Sequence, residues 1–405
     1  MAKIRPFRAL RPEPALAPRI AAVPYDVVNT EEARAMAAGN PLSFLHVSRS
    51  EIDLPADTNP YADIVYRTAA ERFASIRPHM IEEPEPALYF YKLRMGAHEQ
   101  TGLAACYSVD EYDTDLVKKH EKTRRDKEDD RTRHITELRA QTGPVFLTYH
   151  ASAAVDAVAA KAAKTAPLYD LVAPDGITHT IWKVTGDDLR AVVDAFAALP
   201  ALYIADGHHR AASAARVRKT LAPEAGRDGV VEADWFLAVA FPDNQTQVLP
   251  YNRTVKDLAG LTPQAFLEAV KKVFAVRDGG PASPAKKGDC AMYLGGTWHT
   301  LDIGAKAGTD VISRLDVSIL QDHLLDPVLN IADVRTDKRI DFVGGIRGTA
   351  ELERLVDGGK AAVAFSVFPV SVADLMGIAD AGEIMPPKST WFEPKLRDAL
   401  LIHTI

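Results

Sequence analysis

Cys106 and Cys290 are the only cysteines in 405 residues. Two thiols cannot build a disulfide framework, so the fold must rest on burial, and a reducing cytoplasm is the expected compartment. Long apolar runs are also missing. No stretch of about 18 apolar residues occurs, so no membrane span is expected. Prolines at 6, 12, 14 and 18 interrupt any signal-peptide core near the basic N-terminus. Excess positive charge is absent as well. Against 48 Lys and Arg stand 55 Asp and Glu, a net charge of −7. That is poor footing for nucleic acid, and no helix-turn-helix with a basic recognition helix is visible. There is no internal repeat. What remains, 47% hydrophobic and 25% charged residues, is the balance of a globular chain long enough for two domains.

The pattern along the chain alternates strands and helices. Residues 19–28 read as a strand entering a turn at Pro24-Tyr25-Asp26. Asn29 or Thr30 then caps a helix that stops at Gly39-Asn40-Pro41. Residues 43–47 read as a strand, and a helix follows from Pro60. Residues 87–93 and 101–109 form a hairpin around Gly96, and a second hairpin turns at Pro174-Asp175-Gly176. Residues 234–241 are a strand, with 248–249 as its partner across an Asn244-Gln245 turn. Near Tyr251-Asn252-Arg253 a boundary separates residues 1–250 from a C-terminal α+β lobe, 251–405. The fold class expected is α+β (mixed α/β), with one mixed sheet per lobe.

Chemistry concentrates at two places. The first is Ala201-Leu-Tyr-Ile-Ala-Asp206-Gly207-His208-His209-Arg210, a short apolar strand, a glycine turn and the start of an alanine-rich helix running to Pro223. Such a junction points free backbone N–H groups and the positive dipole end at one spot, which suits an anion. Asp206 capping the helix beside exposed histidines is the plainer alternative. The second is 118–139, where fifteen of 22 residues are charged, nine basic and six acidic. So much charge excludes this stretch from a core. A solvated helix laced with ion pairs is one reading. His120-Glu121, directly after two lysines, supports another, a carboxylate acting as base or metal ligand. Near the end, Met385-Pro-Pro-Lys388-Ser389-Thr390 leads into a proline-fixed loop through Lys395, either a surface lid or a substrate contact.

With these motifs assembled, the chain resembles the family catalogued as domain of unknown function 1015 over nearly its full length. The carrying residues are Pro6-Phe7-Arg8, Pro24-Tyr25-Asp26, Gly39-Asn-Pro-Leu-Ser-Phe-Leu-His46, His120-Glu121, Asp130-Arg131, Asp206-Gly-His-His-Arg210, Pro250-Tyr251-Asn252-Arg253 and the Met385 to Thr390 tail. The pair His-Glu and Asp-Gly-His-His-Arg also resembles the two boxes of the ParB/sulfiredoxin superfamily, whose free-serine kinases phosphorylate the L-serine hydroxyl. That resemblance implies a ParB/sulfiredoxin-like nucleotide-binding core with insertions. It implies Glu121 as the catalytic base with His120 beside it, and Asp206 as a second carboxylate for base or magnesium work. Gly207, His208, His209 and Arg210 would contact the phosphates of ATP or ADP. Asp26, Lys388 and Ser389 are the residues expected to hold the acceptor. Here 85 residues separate Glu121 from Asp206, long for that superfamily, so the segment between must be an insertion.

The function expected is a nucleotide-dependent, Mg2+-assisted kinase of a small hydroxyl metabolite, free L-serine above all. Phosphoryl transfer asks the protein for positioning and charge stabilisation, which these residue types supply. The alternative is a non-catalytic nucleotide-binding regulator of ParB type. A zinc hydrolase built on His208 and His209 lacks a third ligand at standard spacing, and a sulfiredoxin-like redox enzyme lacks a thiol in the turn.

Overall fold

A computed structural model describes residues 2–221 and 231–405. The chain divides into two units: Met1–Thr246 with Pro394–Ile405, and Gln247–Glu393. The final residues therefore belong to the first unit, although the sequence pattern places them in the C-terminal lobe. The reason is pairing. Strand Ile402–Thr404 inserts between Ala9–Pro12 and Ala140–Gln141 in a four-stranded sheet.

The first unit is built on a nine-stranded mixed sheet. Leu88–Met95 and His98–Ser108 form the expected antiparallel hairpin. Trp235–Pro242 pairs with His98–Ser108 antiparallel and with Val145–Tyr149 in parallel. Leu202–Asp206 lies next, antiparallel to Val145–Tyr149, and Val117–Lys118 closes that edge in parallel. Period-two alternation puts Leu88, Phe90, Leu103, Tyr107, Leu202, Ile204, Phe236 and Ala238 into one core with Val192 and Phe196 of helix Gly186–Ala197. Each large apolar side chain so buried contributes roughly 1.5–3 kcal/mol. A second core joins helices Thr30–Ala37 and Asp63–Ile76 to the returning tail through Ala33, Phe44, Phe73, Ala399 and Ile402.

Several local expectations change. Ala17–Ile20 is a helical turn, and the following segment makes only a single bridge, Ala22 to Asp398, instead of a strand. Leu45–Ser48 is helical instead of extended, because the Phe44, Leu45 and Val47 side chains fill a core one turn deep. The charged stretch does form a helix, Arg125–Leu138, yet it is not wholly solvated: Asp130, His134, Ile135 and Leu138 are buried. Helix His208–Leu221 forms as expected; its expected end at Pro223 lies outside the described residues.

The second unit has a six-stranded antiparallel sheet. Its central hairpin is Asp289–Leu294 with Thr297–Asp302. Helix Pro263–Val273 starts at a Thr262 cap with proline in its first turn, and helix Val372–Asp380 starts at a Ser371 capping box. Val248–Leu249 pairs with Trp391–Phe392, not with the 235–242 strand, because the Asn244-Gln245 turn leads out of the first sheet. Among the described residues no helix is long and apolar enough to cross a membrane.

Candidate active site

Strand pairing resolves the long sequence gap between the two charged motifs. Leu202 and Tyr203 pair in parallel with Val117 and Lys118, so the C-terminal ends of both strands lie at the same end of the sheet. From one emerges the 119–124 loop with His120 and Glu121. From the other emerge Asp206, Gly207 and the helix. A register shift between Ile204 and Asp206 bulges the strand just before the turn, a device that re-aims a side chain. Gly207 takes φ +94°, and its carbonyl accepts from Ala211 N at 3.0 Å to open the helix. The helix thus starts at His208, and Asp206 stands before the cap position instead of capping it.

Arg210 folds back beneath this turn. Its guanidinium donates to Pro144 O and, at 3.0 Å, to Asp206 Oδ2, and lies 3.9 Å from Asp26 Oδ2. A Cβ on Gly207 would sit 2.9 Å from Arg210 Nε, so only glycine leaves room for it. Gly207→Ala should therefore cost roughly 1–3 kcal/mol, from the positive φ and the displaced guanidinium. Thermal denaturation of the variant beside the native chain checks it.

Asp206 Oδ2 also meets Lys395 Nζ at 3.5 Å. Burial alone would raise this carboxyl, but Lys395 and Arg210 outweigh it and hold it far below the usual carboxylate range. So weak a base suits anchoring better than proton abstraction. The C-terminal tail supplies more. Arg397 pairs with Asp175, and Asp398 is buried against Gly143, pushed up to about 7 by burial despite Arg210 nearby. Sequence reasoning missed Asp398, and it read Lys395 only as part of a loop that is either a surface lid or a substrate contact. Their signal is three charged residues, 395, 397 and 398, interleaved with apolar ones just before a buried strand.

The two histidines of the turn reach the other motif. His208 Nε2 accepts from His120 N at 3.5 Å, and His209 Nε2 accepts from Arg124 N at 3.0 Å. Together they clasp both ends of the Glu121 loop, a task the sequence pattern did not suggest. With Nε2 accepting, the His208 proton belongs on Nδ1. Nδ1 faces Glu121 Oε2 at 3.9 Å, just outside hydrogen-bond range. The Glu121 side chain is half exposed. His120 packs edge-on against His208 with ring centroids 4.4 Å apart. Burial drives His208 well below its ordinary value, and His120 down to about 4. Both are therefore neutral near pH 7.

That buried neutral state sets an acid sensitivity. The unfolded chain takes up a proton on His120 near 6.5, whereas the native ring resists until about 4. Its contribution is fully present above 6.5 and is lost as pH falls toward 4, on the order of 3 kcal/mol in all. Denaturation midpoints followed over that window should decline less steeply for His120→Leu than for the native chain.

Of the other expected residues, Asp26 joins the site through Arg210. Lys388 and Ser389 lie in the second unit. There Ser389 Oγ donates to Pro386 O at 2.6 Å, and the Lys388 ammonium sits 5.4 Å from the Tyr251 ring centroid. No group of three or more His, Cys, Asp or Glu among the described residues could hold a metal ion. Among those residues the zinc reading finds no ligand set.

Comparison with known proteins adds a family. The pattern described as "Protein of unknown function (DUF1015)" matches residues 4–318. No match to a curated protein was found. Among solved structures, a free serine kinase in complex with AMP aligns at 15% identity and TM-score 0.34, covering 73% of this chain and 92% of that one. A conserved hypothetical protein from Pyrococcus furiosus aligns at 15% identity and TM-score 0.35, covering 74% and 94%. SbnI with a C-terminal truncation, from Staphylococcus aureus, aligns at 12% identity and TM-score 0.37, covering 73% and 87%.

Proposed function

The chain belongs to the family described as a protein of unknown function, DUF1015, and we propose that it is a nucleotide-dependent kinase that phosphorylates the hydroxyl of a small metabolite, free L-serine. The observation that carries this reading is the clasp of the Glu121 loop onto the phosphate turn by His208 and His209. It sets an accessible carboxylate beside a glycine turn whose first helical N–H groups have no intrahelical partner. The resemblance of these same two boxes to those of free-serine kinases supplies the reaction class.

In this reading the amides of residues 208–210, with Arg210 and Lys395, hold the phosphates of ATP or ADP. The fit has one electrostatic condition. Asp26, Asp206 and Glu121 set three carboxylates at the site beside Arg210 and Lys395, and the buried, neutral His208 adds no charge. A nucleotide that brings its own Mg2+ offsets its phosphate charge against these carboxylates. Glu121 accepts the proton of the acceptor hydroxyl. The freed oxygen bonds to the terminal phosphorus, the bond from that phosphorus to its bridging oxygen breaks, and the shortened nucleotide leaves. Arg210 and the turn amides stabilise the charge on the transferred group without moving.

The test is incubation with magnesium and ATP or ADP against common hydroxyl metabolites, read by mass spectrometry. O-Phosphoserine formation that stops when magnesium is chelated is the expected result. Nucleotide binding with no phosphorylated product from any acceptor overturns the kinase and leaves a nucleotide-binding regulator.

A further inference from the structure

The Pro24-Tyr25-Asp26 turn and the Asp130-Arg131 pair contribute only Asp26 to the phosphate site, yet the fold gathers both. The Arg131 guanidinium lies 4.1 Å from the Tyr25 ring centroid. Asp130 accepts from Tyr66 Oη and from Arg131 Nε, both at 2.8 Å. Tyr25, Ser48, Arg131 and His134 form a wall shared by two cavities. Arg210 and Asp398 line the first. The second, of about 170 Å3, is also lined by Arg49, Glu51 and Lys127.

We propose that this second cavity is the acceptor subsite and that it takes a free α-amino acid, the α-carboxylate on Arg49 and the α-ammonium on Glu51. The inference rests on the kinase reading only for the word acceptor; the ligand class comes from the cavity. At roughly 30 Å3 per water the space equals about six waters. That admits an amino acid with a short side chain.

Its charges are paired in a way that suits a zwitterion. Arg49 Nε lies 3.0 Å from Glu51 Oε1 but off the line of a hydrogen bond, so both groups keep bonding capacity. Thr30 Oγ1 braces them, accepting from Arg49 at 3.0 Å and donating to Glu51 at 3.3 Å. Both side chains are more than four-fifths buried. A ligand carrying one charge would leave the opposite member of the pair competing for its partner in a poorly solvated space. A ligand with both charges on neighbouring atoms satisfies each. Asp130 is already engaged by Tyr66 and Arg131, so it is wall. Ser48 adds a buried hydroxyl with no hydrogen-bond partner in that wall.

Calorimetric titration of the full chain tests this, first without nucleotide. L-Serine should bind. Hydroxypropionate, which lacks the ammonium, and serinamide, which lacks the carboxylate, should each bind at least about tenfold more weakly. Arg49→Met and Glu51→Gln should each cost L-serine about tenfold or more while ADP affinity stays within about twofold. Analogues that bind as tightly as L-serine overturn the inference, and so does inorganic phosphate that competes with L-serine. The ligand comparison needs no variant, so a misfolded Arg49→Met does not rescue the idea. Failure of the two readings is separable. Phosphorylation of an acceptor lacking either charge refutes the amino-acid subsite and leaves the kinase. L-Serine binding that depends on Arg49 and Glu51 with no product under any donor refutes the kinase and leaves the subsite.

Discussion

Glu121→Gln should lower kcat for the proposed phosphoryl transfer by about a hundred- to ten-thousand-fold, the usual span for losing a positioned general base. Nucleotide affinity should change by no more than about twofold, because the proposed phosphate contacts, the turn amides and Arg210, are untouched. The split matters more than the size of the loss. Glu121 sits on the accessible loop, and the group of the turn close to its carboxylate is His208 Nδ1 at 3.9 Å. Its replacement by an isosteric amide keeps the clasp, since that runs through the backbone N–H groups of His120 and Arg124. Glu121→Asp keeps the proton acceptor but retracts it, so it should recover part of the rate. Single-turnover kinetics beside nucleotide titration decide the matter. Unchanged turnover in Glu121→Gln removes this residue as the base, and Asp206 is a poor replacement, because Lys395 and Arg210 hold its pKa so low that it accepts a proton weakly.

Arg210→Met acts on binding and stability together. Arg210 is buried, and its charge offsets Asp206 at 3.0 Å and Asp26 at 3.9 Å. Removing one partner of a buried charge pair commonly costs about 3–5 kcal/mol. For the unit that carries it, this corresponds to a fall in Tm on the order of 10 °C. On the proposed reading the nucleotide also loses a guanidinium contact, and its Kd should rise at least about a hundredfold. Arg210→Lys separates the two effects. It restores charge but cannot span Asp206 and Pro144 O at once, so stability should recover more than affinity. The sign of the pH dependence gives a second check. Asp206, depressed in the native state, contributes stability above its unfolded value near 3.9 and loses it as pH falls. Arg210→Met should therefore show a shallower acid limb than the native chain. Equal acid limbs, measured by denaturation, would place the Asp206 anchor on Lys395 alone.

The local signals of the strand, glycine turn and helix around Gly207 were legible without coordinates. A four-residue apolar run, a glycine and an alanine-rich helix can be read from residue types, because propensity and backbone freedom are local properties. The same holds for the Leu88–Met95 hairpin and for the caps at Asn29, Thr262 and Ser371. Where neighbours decide, residue types misled. Leu45–Ser48 has the composition of a strand, but it folds as a helical turn because its apolar side chains, with Phe44, face one core. Asp130 and His134 lie in the most charged stretch of the chain and are nevertheless buried, since Tyr66, Arg131 and the Val47 carbonyl satisfy them. Charge density reports average exposure and cannot show which members of a run have partners waiting.

Residue types and their order are enough to define the chemistry available to this protein: a glycine turn with an arginine, a His-Glu pair, no thiol framework and no excess of cationic charge. How those groups meet is settled in three dimensions. A two-residue parallel pairing, Leu202 to Val117 and Tyr203 to Lys118, brings together motifs 85 residues apart. The tail strand that pairs with Ala9–Pro12 carries Lys395 and Asp398 into the site from the far end of the chain. The cavity of Arg49 and Glu51 exists only where three helical segments converge. Such meetings depend on strand partners and core packing between distant segments, and spacing along a sequence does not encode them.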